Sequence, residues 1–382
     1  MNIIALSSYL SSKRGGLEHS LLDVCRALAE RGHSICLIYE EAGDQLENYQ
    51  QFCSDLIKVK SYKLNPQFLA DIRQAASVTT DIVYSNQYNN FFFGRVLAQI
   101  CRVPFVCHLR LHASTEDSHL KRLKQSLTLS EIHHYIAISE AVKTDWCDRL
   151  HIPPEKISIV YNGIEPDRFA ISDDVVSLRT AWEITPQERV ISYVGRLETE
   201  KGIETLIRAF ALLRQASIPA QLLIAGKPLF SGDTYRSQLE ALAENLGVSN
   251  SVKFLGHISN PRSLYQISDV VVLPSLWLEA FGRVLIESMA CGTPALGSRS
   301  GGIPEILTGE FSNWLFTPGD EVDLHTKLKE VINWRDTDPM LSHRCRQHVI
   351  HNFSLQQTID GIEAVLERSI AFTLRSRKRF YV

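Results

Sequence analysis

The stretch Asp269-Val-Val-Val-Leu-Pro-Ser275-Leu-Trp-Leu-Glu279-Ala-Phe-Gly-Arg-Val-Leu-Ile-Glu287 contains a strand, a loop and the start of a helix. Its first part is a short, β-branched apolar run stopped by Pro274, which predicts a buried parallel strand ending in a loop. Gly282 then opens a helical pattern in which Val284, Leu285 and Met289 share one apolar face. Glu279 is therefore expected in the loop and Glu287 in the second helical turn, with seven residues between the two carboxylates. The N–H groups at such a helix start attract an anion, so a phosphate is expected beside Phe281, Gly282, Arg283 and Val284. The carboxylates suit hydroxyl groups instead, because an ionised Glu only accepts hydrogen bonds and can take both hydrogens of a vicinal diol. A ribose and a sugar on either side of a diphosphate fit that pattern. The alternative is that Glu287 merely favours an early helical turn and Glu279 is a solvated loop carboxylate.

The same alternation of short apolar runs with amphipathic stretches extends along the whole chain, which predicts parallel βαβ units with helices on both faces of the sheet. Strands are expected at 2–6, 34–39, 81–84, 105–108, 135–138 and 157–161, with a helix at 17–30 stopped by Gly32. The turn-rich segment Asn162-Gly-Ile-Glu-Pro-Asp-Arg-Phe169 interrupts the rhythm and marks a domain boundary, placed at 166/167. A second series follows, with strands at 189–194, 220–225, 251–254, 270–273 and 294–297, and this domain runs to residue 353. Ile359, Ile362, Val365 and Leu366 have helical spacing, so 354–382 is expected to be a closing helix that returns to the first domain. Two doubly wound domains with a cleft at the carboxyl ends of their strands would place a ligand at the interface.

At 382 residues the chain is long enough for about two ordinary domains. A composition of 45% hydrophobic and 22% charged residues is that of a globular protein, and a net charge of -3 gives no reason to expect nucleic-acid binding. The eight cysteines form no Cys-x-x-Cys pair and no zinc-like spacing, so reduced thiols in a cytoplasmic core are expected. No basic residue precedes the apolar Ile3-Ile4-Ala5-Leu6, which argues against a signal peptide. No apolar run reaches the roughly 18 residues of a spanning helix.

Further candidates lie where strands end. Gly195-Arg196-Leu-Glu-Thr-Glu-Lys201-Gly202 follows one strand and precedes an amphipathic helix. Arg196 and Lys201 thus flank a helix N-terminus, where cations are disfavoured unless an anion binds there. Glu198, Glu200 and Glu204 offer a rival account, since they could neutralise both bases on an ordinary surface. Gly195 permits close backbone approach at the strand end. Gly15-Gly16 holds the corresponding place in the first domain, as a phosphate turn or a plain tight turn, without a Gly-x-Gly-x-x-Gly fingerprint. His108 ends an apolar segment and should face the cleft, whereas His112, His133 and His134 are expected to be structural. Glu305, in Gly301-Gly-Ile-Pro-Glu305, could touch a substrate or favour a helix start. Asp336-Thr-Asp338 has the form of a metal-binding Asp-x-Asp but lies away from any strand end, and is expected to be a helix-boundary turn.

Together these segments resemble the retaining glycosyltransferases of family 4, which have the two-Rossmann GT-B fold. The most specific match is Pro-Ser-Leu-Trp-Leu-Glu-Ala-Phe-Gly-Arg-Val-Leu-Ile-Glu-Ser-Met-Ala-Cys-Gly-Thr-Pro (274–294), the family's Glu-x7-Glu region. Gly-Gly-Leu-Glu (15–18), Ile-Ala-Ile-Ser-Glu-Ala-Val (136–142), Tyr-Asn-Gly-Ile (161–164), Gly-Arg-Leu-Glu-Thr-Glu-Lys-Gly (195–202) and Ser-Gly-Gly-Ile-Pro-Glu (300–305) follow the family's order. The resemblance implies that Arg196 and Lys201 neutralise the diphosphate of a UDP- or GDP-linked sugar, with Gly16 supplying backbone to it. It also implies that Glu287 holds the ribose, Glu279 contacts the donor sugar and His108 lies near the transferred sugar.

Two departures bear on the acceptor side. Leu109 and Arg110 follow His108 where Asp or Gly is frequent, and Asn86 stands where many members have a histidine. The expected activity is metal-independent transfer of a hexosyl group, with retention, to an acceptor hydroxyl in glycan, polysaccharide or glycolipid assembly. The acceptor would be a saccharide, a lipid-linked saccharide or a small molecule, and no cofactor beyond the donor substrate is expected. An epimerase or hydrolase of nucleotide sugars, or a non-catalytic nucleotide-sugar-binding subunit, are the alternatives. Basic clusters at Lys121-Arg122-Leu-Lys124 and 375–379 would suit peripheral contact with anionic lipid, or form solvated faces.

Overall fold

A computed structural model of the chain describes residues 1–11, 16–114, 125–126, 128–228 and 232–379, without the side chains of 233 and 374–379. The basic cluster at Lys121, Arg122 and Lys124, the turn residue Gly15 and the side chains of 375–379 lie outside the described parts. The chain divides into two compact units, residues 1–162 with 356–382, and residues 163–355.

Unit 1 is built on β1 (Asn2–Tyr9), β2 (Ser34–Glu41), β3 (Asp55–Lys58), β4 (Ile82–Ser85), β5 (Phe105–Leu109), β6 (His134–Ala137) and β7 (Ile157–Ile159). Every pairing is parallel, in the order β3-β2-β1-β4-β5-β6-β7, so the winding direction reverses between β1 and β4. Unit 2 repeats the plan with β8 (Arg189–Val194), β9 (Ala220–Ala225), β10 (Val252–Gly256), β11 (Val270–Leu273), β12 (Ala295–Ser298) and β13 (Leu315–Phe316). Its order is β10-β9-β8-β11-β12-β13, again all parallel, with the reversal between β8 and β11. Both units are the doubly wound α/β sheets that the alternating pattern predicts.

The apolar runs become central strands because helices cover both faces of a parallel sheet. All four residues of β11 and all six of β9 are buried. Each Val, Leu or Ile so enclosed contributes about 1.5–3 kcal/mol relative to leaving it in water. Two strands escaped the sequence pattern. β3 is an edge strand with one buried residue of four, and β13 is two residues long, so neither carries an extended apolar run.

The crossing back to unit 1 is a short backbone clasp inside unit 2. Ile164 forms a parallel bridge with Ser354, donating to the Phe353 carbonyl at 3.0 Å and accepting from Leu355 N at 2.8 Å. The helix Leu355–Arg379 follows, with Ile359, Ile362, Val365 and Leu366 buried. Arg31 and His33 of unit 1 hold it through Asp360 and Glu363. Among the described residues no helix is long and apolar enough to cross a membrane. All eight cysteines are free.

Candidate active site

In unit 2 the winding reverses between β8 and β11, the place where doubly wound sheets bind ligands at the carboxyl ends of their strands. The loop after β8 begins at Gly195, whose N–H donates to the Ala225 carbonyl at 3.0 Å, and the Tyr193 hydroxyl donates to the Arg196 carbonyl at 2.6 Å. A short turn, Thr199–Lys201, leads through Gly202 into the helix Ile203–Gln215. Gly202 has φ +65°, and a Cβ there would lie 2.1 Å from the Pro274 carbonyl oxygen. The loops after β8 and β11 therefore pack backbone to backbone, and Leu276 N donates to the Glu200 carbonyl at 2.9 Å.

That contact brings Lys201 to Glu279. Lys201 Nζ lies 2.6 Å from Glu279 Oε2, which also accepts from the Ser275 hydroxyl at 3.0 Å. Both charged side chains are 17% exposed. Burial pushes the Glu279 carboxyl up, but Lys201, the Ser275 hydroxyl and Arg196 outweigh it and hold the group below its ordinary range. Arg196 Nη2 lies 4.0 Å from Glu200, and Glu204 accepts from the Tyr235 hydroxyl. Lys201 thus pairs across to the second loop rather than with Glu198, Glu200 or Glu204.

The backbone of Glu279 is fixed from a third loop. Gly302 N donates to the Glu279 carbonyl at 2.8 Å, and a Cβ on Gly301, at φ +56°, would lie 2.0 Å from that same oxygen. Ser300 Oγ donates to the Trp277 carbonyl at 2.6 Å. Gly302 leads into a short helix, Ile303–Ile306, with Glu305 in its first turn.

Gly282 is the N-cap of the helix Arg283–Ala290, which has no side-chain cap bond. Phe281 is buried against Phe353, while Arg283 and Val284 are half-buried in the first turn. Glu287 sits in the second turn, where its two oxygens accept from Arg283 Nε at 2.8 Å and the Tyr265 hydroxyl at 2.9 Å. Burial, followed by the neighbouring Glu287 carboxylate, keeps the Tyr265 phenol protonated far above its ordinary range.

Unit 1 gathers a different set. Gly16 is exposed at the start of the helix Gly16–Glu30. His108, in β5, is 1% exposed, with Nδ1 2.7 Å from the Tyr84 hydroxyl and 3.2 Å from Arg110 Nη2. Arg110, itself buried, donates from Nη1 to Ser20 Oγ at 2.6 Å and to Asn162 Oδ1 at 2.7 Å. Burial and then the Arg110 charge hold His108 well below the ordinary histidine range, so the ring is neutral. The register sets Ser85 opposite Cys107, and Asn86 and His108 are the residues that follow this pair. Asn86 donates weakly from Nδ2 to the Leu17 carbonyl at 3.4 Å. His108 Nε2 and Asn86 Oδ1 are buried without a hydrogen-bond partner.

The other histidines singled out in the sequence have structural surroundings. His133 Nδ1 accepts from Phe105 N, His134 bonds the Ser158 hydroxyl, and His112 lies 3.4 Å from Asp145. Asp336 and Asp338 belong to a helix-boundary turn and pair with Arg189 and Arg344. Sequence reasoning missed Tyr265, Ser275, Tyr84 and Ser20, which hold the site residues in place. Only Ser275 had a signal, since it lies within the 274–294 segment.

Comparison with known proteins matches the two units to two models. Residues 14–168 match Glycosyltransferase Family 4, and residues 177–348 match Glycosyl transferases group 1. Only 1–13, 169–176 and 349–382 lie outside these matches. Unit 1 is therefore similar to Glycosyltransferase Family 4 and unit 2 to Glycosyl transferases group 1, each model matching less than half of the chain. The chain is 34% identical over 251 residues to an uncharacterized glycosyltransferase of Methanocaldococcus jannaschii, covering 62% of each chain. It is 28% identical over 213 residues to the N-acetyl-alpha-D-glucosaminyl L-malate synthase of Bacillus anthracis, covering 56% of this chain and 54% of the relative. The matched part thus spans less than two thirds of either relative. A D-inositol 3-phosphate glycosyltransferase of Corynebacterium jeikeium is 27% identical over 310 residues, or 76% of this chain and 73% of the relative. Among solved structures, HepE of Anabaena in complex with UDP and glucose has a TM-score of 0.82 at 23% identity, covering 96% of this chain and 99% of the other. A glycosyltransferase of Rickettsia africae has a TM-score of 0.85 at 20% identity, covering 97% and 98%.

Proposed function

We propose that the protein is a retaining, metal-independent hexosyltransferase that moves a sugar from a nucleoside diphosphate to an acceptor hydroxyl. The observation that carries this reading is the Lys201–Glu279 pair beside the helix bearing Glu287, all at the winding reversal of unit 2. Arg196, Lys201 and the N-terminus at Gly282 to Val284, together with the backbone of Gly195 and Phe281, supply positive potential to a diphosphate. Glu279 takes hydroxyls of the donor sugar and Glu287 those of the ribose. HepE, a structural neighbour, was solved with UDP and UDP-glucose, which favours a uridine donor over a guanosine one.

In the reaction, the bond between the anomeric carbon and the phosphate oxygen breaks, and a bond to the acceptor oxygen forms on the same face. The acceptor proton passes to the departing phosphate oxygen. Lys201 and Arg196 stabilise the charge that develops on that diphosphate, which is electrostatic preorganisation at the leaving group. His108 lies beside the transferred sugar, and Gly16 contributes backbone N–H to the diphosphate. Asn86 and Arg110 belong to the acceptor side. Relatives named for L-malate and D-inositol 3-phosphate suggest small polyhydroxyl or hydroxy-acid acceptors alongside glycans.

A panel of UDP- and GDP-sugars screened by thermal shift, followed by mass spectrometry of products with and without candidate acceptors, tests the proposal. A glycosylated acceptor with retained anomeric configuration is the expected outcome. Donor consumption at the same rate without acceptor would identify a hydrolase or epimerase instead, and a shift in melting with no turnover for any acceptor would identify a binding subunit.

A further inference from the structure

We infer that Arg110 is a positioning residue that holds His108 in its Nε2–H form, presenting a hydrogen-bond donor to a substrate hydroxyl. The tautomer follows from donor chemistry. A guanidinium has only N–H groups to offer, so the His108 Nδ1 that faces Arg110 Nη2 at 3.2 Å must bring a lone pair. The Tyr84 hydroxyl, 2.7 Å from the same nitrogen, can either donate or accept, and beside a lone pair it donates. A neutral ring whose Nδ1 is an acceptor carries its proton on Nε2. Protonating both nitrogens would set an N–H against the guanidinium.

Among the described residues, the groups named around the ring add no charge besides that of Arg110. Burial pushes the Tyr84 phenol up to about 12, and the thiols of Cys25 on the helix Gly16–Glu30 and of Cys107 in β5 well above their ordinary value. From β6 the residue opposite His108 is Ile136. Arg110 is therefore the charged group that acts on His108, and Ser20 and Asn162 aim its guanidinium by accepting from Nη1.

The consequence lies at the far side of the ring. His108 Nε2–H and Asn86 Oδ1 are a donor and an acceptor, both buried without a partner, at the carboxyl ends of adjacent strands. Leaving such an atom unpaired costs about 1–3 kcal/mol, so each points to a ligand group that satisfies it. A hydroxyl does so, accepting from the imidazole or donating to the amide oxygen. His108 then serves as a fixed hydrogen-bond donor and cannot act as a general base. The identity of the hydroxyl as one of a sugar substrate rests on the proposed function, whereas the tautomer does not.

Nitrogen-15 NMR of the full chain labelled at histidine tests this, with His108 assigned by the signal lost in His108→Gln. The expected spectrum has Nε2 protonated and Nδ1 bare, unchanged between about pH 5 and 8, the window in which an ordinary histidine titrates. A protonated Nδ1, or a titration in that window, overturns the inference. In Arg110→Met the Tyr84 hydroxyl can turn to accept, so a mixture of tautomers or a titration is expected, and an unchanged pattern overturns the role of Arg110. Tyr84→Phe leaves Arg110 as the donor to Nδ1, so its pattern must match the unmutated protein, which keeps the test decisive if Arg110→Met fails to fold. Failure of the proposed function would appear as no melting shift with any nucleotide sugar while the His108 pattern stands, so the two failures are distinguishable.

Discussion

Unit 2 buries charge in matched sets, whereas the strand ends of unit 1 bury neutral polar atoms beside the guanidinium of Arg110. Lys201 meets Glu279, Arg283 meets Glu287, and Asp269 at the entrance of β11 meets both Arg179 and Arg335. At the corresponding strand ends of unit 1 stand a neutral His108 and the amide of Asn86, each with an unused buried atom. The two sheets share a winding, so topology does not make this difference. For the two sets at Lys201 and Arg283, the proposed donor would account for it. A site for a diphosphate must carry cations, and cations in a low-dielectric loop need carboxylates to hold them in place. A site for neutral hydroxyls needs only donors and acceptors of the right type.

The largest effect should come from breaking a matched set away from the candidate site. The Asp269 carboxylate is fully buried and accepts from Val190 N at 2.7 Å, Arg335 Nε at 2.8 Å and Arg179 Nη2 at 3.1 Å. Asp269→Ala leaves two guanidinium groups without their counter-charge and should cost about 3–5 kcal/mol. Urea unfolding followed by a probe in unit 2 measures it, and a loss under 1 kcal/mol would mean that water reaches the two arginines.

Next in size is the proposed catalytic set. Lys201→Ala should lower donor-dependent nucleotide release about 10²–10³-fold, as loss of a leaving-group stabiliser does elsewhere. Glu287→Ala should also reduce release strongly, mainly through donor affinity, since the hydroxyls proposed for it would be bound before and during reaction alike. Unchanged turnover in both variants, with an identified donor, would remove the assignment of this site.

Acid should separate the two members of the first pair. The Glu279 carboxyl is held below its ordinary range in the folded chain, so its contribution to stability is present above the ordinary glutamate value and lost as pH falls through the depressed one. The loss in the unmutated protein is therefore expected below about pH 4.3. In Lys201→Ala burial, which raises the carboxyl, loses its chief opponent, so this acid-side loss should shrink or change sign. Melting temperature against pH for both proteins reads the change, and coincident curves would show that Lys201 does not carry the Glu279 charge.

Much of this contrast was legible in the sequence. The carboxylate spacing, Arg196 and Lys201, the strand boundaries of β8, β9 and β11, and a helix beginning at Gly282 all follow from local pattern, because charge and periodicity are written along one segment. The support of those residues was not. Tyr265 reaches Glu287 from a helix that precedes β11, and Ser20 and Tyr84 reach the His108 cluster from separate elements, so no spacing records them. Arg110 looked like an acceptor-side side chain after a strand. In the fold it is buried and turned back on His108, a direction that depends on Ser20 and Asn162 lying far away in sequence.

The smallest effect tests where unit 1 does keep matched charges. Glu363, on the helix Leu355–Arg379, lies 2.6 Å from His33 Nε2 and also pairs with Arg31, whose guanidinium is 2.6 Å from Asp360. The side chains of Arg31 and Glu363 are about a quarter exposed, so solvent screens the pair more than it screens Asp269. A hydrogen bond from His33, partly opposed by burial and aided by Arg31, holds the Glu363 carboxyl below its ordinary range. Glu363→Gln removes the charge and keeps the shape. It should weaken hydrogen-exchange protection of that helix by about fivefold or less, the equivalent of ~1 kcal/mol, with no change in unit 2. Unit 1 then uses these charge pairs to dock its last helix, whereas a far larger loss at Glu363 would make that docking, rather than the strand ends, the place where the two units differ most.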